Sequence, residues 1–156
     1  MDKLEVAKHL LGRVGMPAEQ QSALCCLSLL AMAKLAKFTP YSQATNEWVR
    51  IHDIIAFISD HYGVAYAENS RETFRKRAMH AFRTAALIED NGKATNSPNY
   101  RYRITSEFLA VIQSMSGSKR VLCDDNAYLI SQYSLNFALV MAIPMSLLDN
   151  ATITTK

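Results

Sequence analysis

Apolar positions recur every three to four residues through much of the chain, the spacing of helices with one buried face. Leu4, Ala7, Leu10, Leu11 and Val14 predict a first helix, stopped at Gly15-Met16-Pro17. Over 20–36, Ala23, Leu24, Leu27, Leu30, Ala31 and Leu35 predict a second, with a stripe wide enough to be buried. Phe38-Thr39-Pro40-Tyr41-Ser42 interrupts the pattern. Asn46 then offers a cap for a third helix. Ile51, Ile54, Ile55, Ile58 and Tyr62 fall on one face of it, and Gly63 ends it.

The fourth predicted helix starts at Asn69 or Ser70. Phe74, Ala78, Ala81, Phe82 and Ala85 share its apolar face, while Glu72, Thr73, Lys76, His80 and Arg83 lie opposite. Arg71 and Arg75 sit at one border and Arg77 at the other. Ala86-Leu87-Ile88-Glu89 then continues as extended chain, and Asp90-Asn91-Gly92 is a turn signal. Tyr100-Arg101-Tyr102-Arg103-Ile104 alternates with the period of a half-buried strand, which places Arg101 and Arg103 on its solvent face. A helix follows from Thr105-Ser106-Glu107 to about Met115, then another over 124–142, and 143–154 reads as a small terminal hairpin. The expected fold is mainly α: a winged helix-turn-helix domain with a β-hairpin wing over 1–116. A helical extension with a short terminal hairpin is expected over 117–156.

Charge sharpens this picture. Segment 69–105 holds eight Lys/Arg and three Asp/Glu, so it is +5 while the whole chain is +3. A polyanion would be drawn to that segment. In a winged helix the basic helix can enter the major groove while the wing touches phosphate. The candidate DNA-binding residues of the helix are Arg71, Thr73, Arg75, Lys76, Arg77, His80 and Arg83. Those of the wing are Lys93, Asn96, Ser97, Arg101 and Arg103. Tyr100 and Tyr102 read as residues packing the wing on the helices rather than as a stacking platform.

Other chemistry finds little support. The histidines are His9, His52, His61 and His80, and the chain contains no HExxH, CxxC, GxSxG or phosphate-loop pattern. Neither catalytic nor metal-ligating residues are assigned. Asp124-Asp125 reads as the first turn of the last helix. Cys25, Cys26 and Cys123 are odd in number, and two are adjacent in an apolar run, so they read as reduced buried thiols. MDKLEVAKHLLG reads as an amphipathic helix rather than a signal peptide, and the apolar run 23–33 is too short to span a bilayer. The expected setting is cytoplasmic, without a membrane partner.

NSRETFRKRAMHAFRTAALIE followed by TNSPNYRYRITSE resembles the N-terminal region of the BsuBI/PstI type II restriction endonucleases. GMPAEQQ…ALCCLSLLAMAKL and YSQATNEWVRIHDIIAFISDHYG follow the same pattern in the same order. The resemblance covers about residues 4–112, and its most specific parts are Arg71-Glu72-Thr73 and the TNSP of 95–98. It implies a helix-turn-helix-like domain of an enzyme that cuts duplex DNA at a palindromic hexamer. Cutting would belong to a C-terminal PD-(D/E)xK domain, with Mg2+ expected only there. IPMSLLDNATIT resembles the entry to that domain, and no catalytic residue carries over to this chain. The expected partners are double-stranded DNA and a second copy of the chain, with the apolar side of 124–142 expected to bury against that copy or against the C-terminal domain. The alternative reading is a stand-alone winged-helix transcriptional regulator.

Overall fold

The computed structural model describes residues 2–115. Its elements run α1 (Lys3–Arg13), α2 (Ala23–Met32), α3 (Ile51–Tyr62), α4 (Arg71–Phe74), a π turn (Arg75–Met79), α5 (His80–Thr84), β1 (Ile88–Asp90), β2 (Tyr102–Ile104) and α6 (Ser106–Gln113). α4, the π turn and α5 follow one another without a break, making one helical run over 71–84. The described residues are therefore mainly helical with one antiparallel hairpin. The helix and hairpin expected over 124–154 lie outside the described residues.

α2 sits at the centre, packed on α1, α3, α4 and the π turn. Its sequence allows this because Cys25, Cys26, Leu27, Ser28, Leu29, Leu30, Ala31 and Met32 are all buried. Ser28 is the one polar side chain buried among the described residues. It is satisfied by donating to the Leu24 carbonyl at 2.7 Å. Phe74, Phe82 and Phe108 bring the helical run and α6 into the same core.

The second helix is shorter than its apolar stripe. Residues 18–21 form a separate turn, and Ala23–Met32 is the α-helix proper. It stops where Lys34 turns left-handed, at φ 58°, with Lys34 N–H donating to Ala31 and Leu35 N–H to Leu30. The third helix starts later than Asn46 suggests. Val49 exchanges two backbone hydrogen bonds with Tyr102, at 2.8 and 2.9 Å, so the chain is extended there. Arg50 then becomes the cap, its N–H donating to Asp53 Oδ2 at 2.9 Å. Gly63, at φ 68°, closes that helix as expected.

The fourth helix buries Phe74, Ala78, Phe82 and Ala85 as the sequence pattern requires, with Met79 added to them. The addition comes from the π turn, whose i→i+5 hydrogen bond from His80 N–H to Arg75 O admits an extra residue per turn. Two adjacent residues, Ala78 and Met79, thereby face the core. Tyr66, in the connection from α3, packs edge-on against Phe74 with centroids 5.0 Å apart.

The wing is a short ladder with a long loop. Ile88, Glu89 and Asp90 pair with Ile104, Arg103 and Tyr102, and Val49 borders Tyr102 on the other side. Asp90-Asn91-Gly92 does not close a tight hairpin. It begins the loop 91–101, whose ends are joined by Asn91 N–H donating to Arg101 O at 3.1 Å.

Candidate nucleic-acid interface

The helical run and the wing loop face each other across an open cleft of about 910 Å³. Glu68, Arg71, Glu72 and Arg75 line the helical wall, Arg50, Ile51 and His52 the floor at the start of α3, and 95–98 with Tyr100 and Tyr102 the wing wall. Three guanidinium groups thus meet hydroxyl and amide groups of Thr95, Asn96 and Ser97. Guanidinium, hydroxyl and amide are the donor types that pair with phosphate oxygens.

Its cations are already engaged. Arg75 Nε donates to Glu72 Oε2 at 2.9 Å, with a second, shorter contact from Nη2 to Oε1. Lys76 Nζ is 3.6 Å from Glu72. Arg71 Nε stands 3.5 Å from Glu68, whose other oxygen is 3.0 Å from His52 Nδ1. The Arg75 guanidinium holds the Glu72 carboxyl below the usual carboxylate range. Exposed pairs of this kind add little to stability.

The expected site residues divide into groups. Arg71, Arg75, Asn96 and Ser97 line the cleft. Thr73, Lys76 and His80 are exposed on the helical run, and His80 borders a smaller recess shared with Arg75, Arg83, Thr95 and Tyr100. Arg77 is exposed at the other border, its carbonyl accepting from Cys25 Sγ on α2 at 3.5 Å. Lys93 is exposed in the wing loop.

Three arginines serve the wing itself. Arg83 Nη1 donates to Asp90 Oδ2 at 2.7 Å and to Tyr100 Oη at 3.2 Å. Arg101 Nη1 donates to the carbonyls of Pro98 at 2.9 Å and Tyr100 at 3.1 Å, bracing the loop. Arg103 pairs with Glu89 and lies 4.3 Å over the Trp48 ring. Alternation along β2 sends Tyr102 toward the helical run and Arg103 to the outer face, so Arg103 is not a cleft residue. Tyr100 and Tyr102 pack edge-on, centroids 4.8 Å apart, as residues that seat the wing.

Arg50, His52 and Glu68 are cleft residues that sequence reasoning missed. They lie outside segment 69–105 or at its edge. No local pattern marked them, since Trp48-Val49-Arg50-Ile51 holds no run of alternation.

Among the described residues, no group of three His, Cys, Asp or Glu side chains could hold a metal ion. No helix among them is long and apolar enough to cross a membrane.

Comparison with known proteins places these features. Residues 1–137 match the model of the BsuBI/PstI restriction endonuclease HTH domain. The type II restriction enzyme BsuBI of Bacillus subtilis is 33% identical over 111 residues, covering 69% of this chain and 35% of that protein. The structure of the SdaI restriction endonuclease superposes with a TM-score of 0.69 at 21% identity, over 86% of this chain and 40% of that one, and so shares the fold. This chain thus spans well under half the length of either relative. On the family match, the chain belongs to the BsuBI/PstI restriction endonuclease HTH-domain family.

Proposed function

We propose that this chain is the DNA-gripping N-terminal module of a type II restriction endonuclease, acting on duplex DNA through the helical run 71–84 and the wing. The observation that carries this reading is the cleft in which Arg50, Arg71 and Arg75 face Thr95, Asn96 and Ser97. One phosphate backbone would lie along it. Thr73, Lys76, Arg77 and His80 would then face the groove edges, and Lys93 an adjoining phosphate. Arg83 and Arg101 hold the wing in place, and Arg103 lies on its outer face. Strand scission would be the work of a separate metal-dependent domain.

Fluorescence anisotropy of a labelled duplex, titrated at several salt concentrations, tests the proposal. With about four to six phosphate contacts, the logarithm of the affinity should fall against log salt with a slope of about −4 to −5. Adding EDTA should change nothing, because arginine and lysine rather than a metal ion neutralise the phosphates. An absence of binding at low salt, or binding indifferent to salt, would overturn it.

A further inference from the structure

The cleft carries its own counter-anions. Glu68 and Glu72 lie one helical turn apart at its rim: Glu68 contacts Arg71 and the His52 ring, and Glu72 holds Arg75 and Lys76. Both carboxylates are more than half exposed, at 63% and 54% of the side chain. They contribute little to folding there. On a surface that meets a polyanion they also repel it. Their position on the cationic wall therefore opposes the binding of any duplex. That opposition is useful only if binding to DNA of arbitrary sequence must be kept weak.

We propose that Glu68 and Glu72 are internal competitors for Arg71, Arg75 and Lys76, and that they set the discrimination of this module against unspecific duplex. The inference rests on the proposed DNA-binding function and adds a regulation of that same site. A phosphate entering the cleft exchanges with a carboxylate instead of pairing with a free cation. Exchange yields less net attraction and releases fewer counterions than a new ion pair does. Contacts to a preferred sequence are additional and can drive the exchange, whereas random DNA lacks them. Specificity is the difference between the two affinities, so weakening the unspecific one raises it.

Glu72→Gln and Glu68→Gln/Glu72→Gln test this against Glu89→Gln. Glu89 also pairs with an arginine but sits on the outer face of the wing, away from the cleft. E72Q and E89Q remove the same charge, so distance-independent electrostatics cannot distinguish them. Affinity for a mixed-sequence duplex is read across a salt series, with melting temperatures confirming the fold of each variant. The double variant should bind about tenfold tighter or more, with a slope steeper by about one to two, roughly one per carboxylate removed. E89Q should stay close to the parent. A Glu72→Gln protein that binds no tighter than Glu89→Gln, or weaker than the parent, would overturn the proposal and make the carboxylates supports for the arginines. If the parent and all variants fail to bind at low salt, the proposed function itself falls, and the inference with it.

Discussion

Arg83 Nη1 lies 2.7 Å from Asp90 Oδ2, an ion pair that joins the last turn of α5 to the end of β1. Tyr100 Oη, at 3.2 Å from both groups, extends the link to the returning side of the wing loop. Gly92 N–H adds a 2.8 Å bond to Asp90 Oδ1. The wing is thus fastened to the helical run before any ligand arrives.

Arg83→Ala should therefore weaken duplex binding by loosening the wing while leaving the salt slope at the parent value. A slope reduced by about one would show that Arg83 touches phosphate directly. Anisotropy titrations of both proteins at matched salt give the comparison.

The same link has a pH signature. Arg83 first, then Gly92 N–H, holds the Asp90 carboxyl below its usual range. A carboxyl depressed in the folded state stabilises the fold above its unfolded pKa of about 3.9, and that stability is lost as pH falls through the folded value. Asp90→Asn should lower the melting temperature at pH 7 by a few degrees, in line with up to about 1 kcal/mol for a partly exposed pair. The gap should close as pH falls through the depressed folded value, where the parent carboxyl is protonated too. A gap constant with pH would mean that the charge is irrelevant to the fastening.

Ala86 ends the helical run in the left-handed region, at φ 59°, with its N–H donating to Arg83 O and Leu87 N–H to Phe82 O. A Cβ in that conformation costs about 1 kcal/mol, and glycine avoids the cost. Ala86 is exposed, so its methyl group packs against nothing essential. Ala86→Gly should raise stability by up to about 1 kcal/mol in urea unfolding. A lower midpoint would contradict the left-handed assignment.

Burial pushes the Cys25 thiol up and that of Cys26 to about 11. Both cysteines are free and buried on α2. In a Cys123→Ser background, neither should react with a thiol-specific disulfide reagent at pH 8 until denaturant is added. Rapid labelling of the native protein would show that α2 is less enclosed than described.

Periodicity found α1, α3 and the helical run because each buries one stripe, while α2, buried on every side over 25–32, was legible as a dense apolar stretch. Gly63 and the Gly15-Met16-Pro17 break were legible for the same local reasons. Val49 was not, because one bridging residue leaves no run of alternation and its partner, Tyr102, is remote in sequence. Met79 escaped because a wheel of 100° per residue has no place for a π turn. The basic segment was readable as a total of +5, yet a total hides pairing. Glu72 stands three and four residues before Arg75 and Lys76, the spacing at which helical side chains meet, so that part of the neutralisation was in the sequence. The Arg83–Asp90 link and the outward turn of Arg103 depend on how the wing docks, which no local pattern encodes.

The central claim is that the run 71–84 and the wing form the DNA-facing surface, and a charge-matched pair of variants tests it most directly. Arg71→Ala/Lys76→Ala removes two cations from the helical run, both exposed. Lys8→Ala/Lys37→Ala removes two exposed cations from α1 and the connection after α2, and neither residue lines the cleft. Net charge changes equally in both. Duplex affinity measured across a salt series should fall about tenfold or more for the first double variant, with a shallower slope, and remain near the parent for the second. Equal losses in the two variants, or a larger loss in the second, would contradict the assignment of this face.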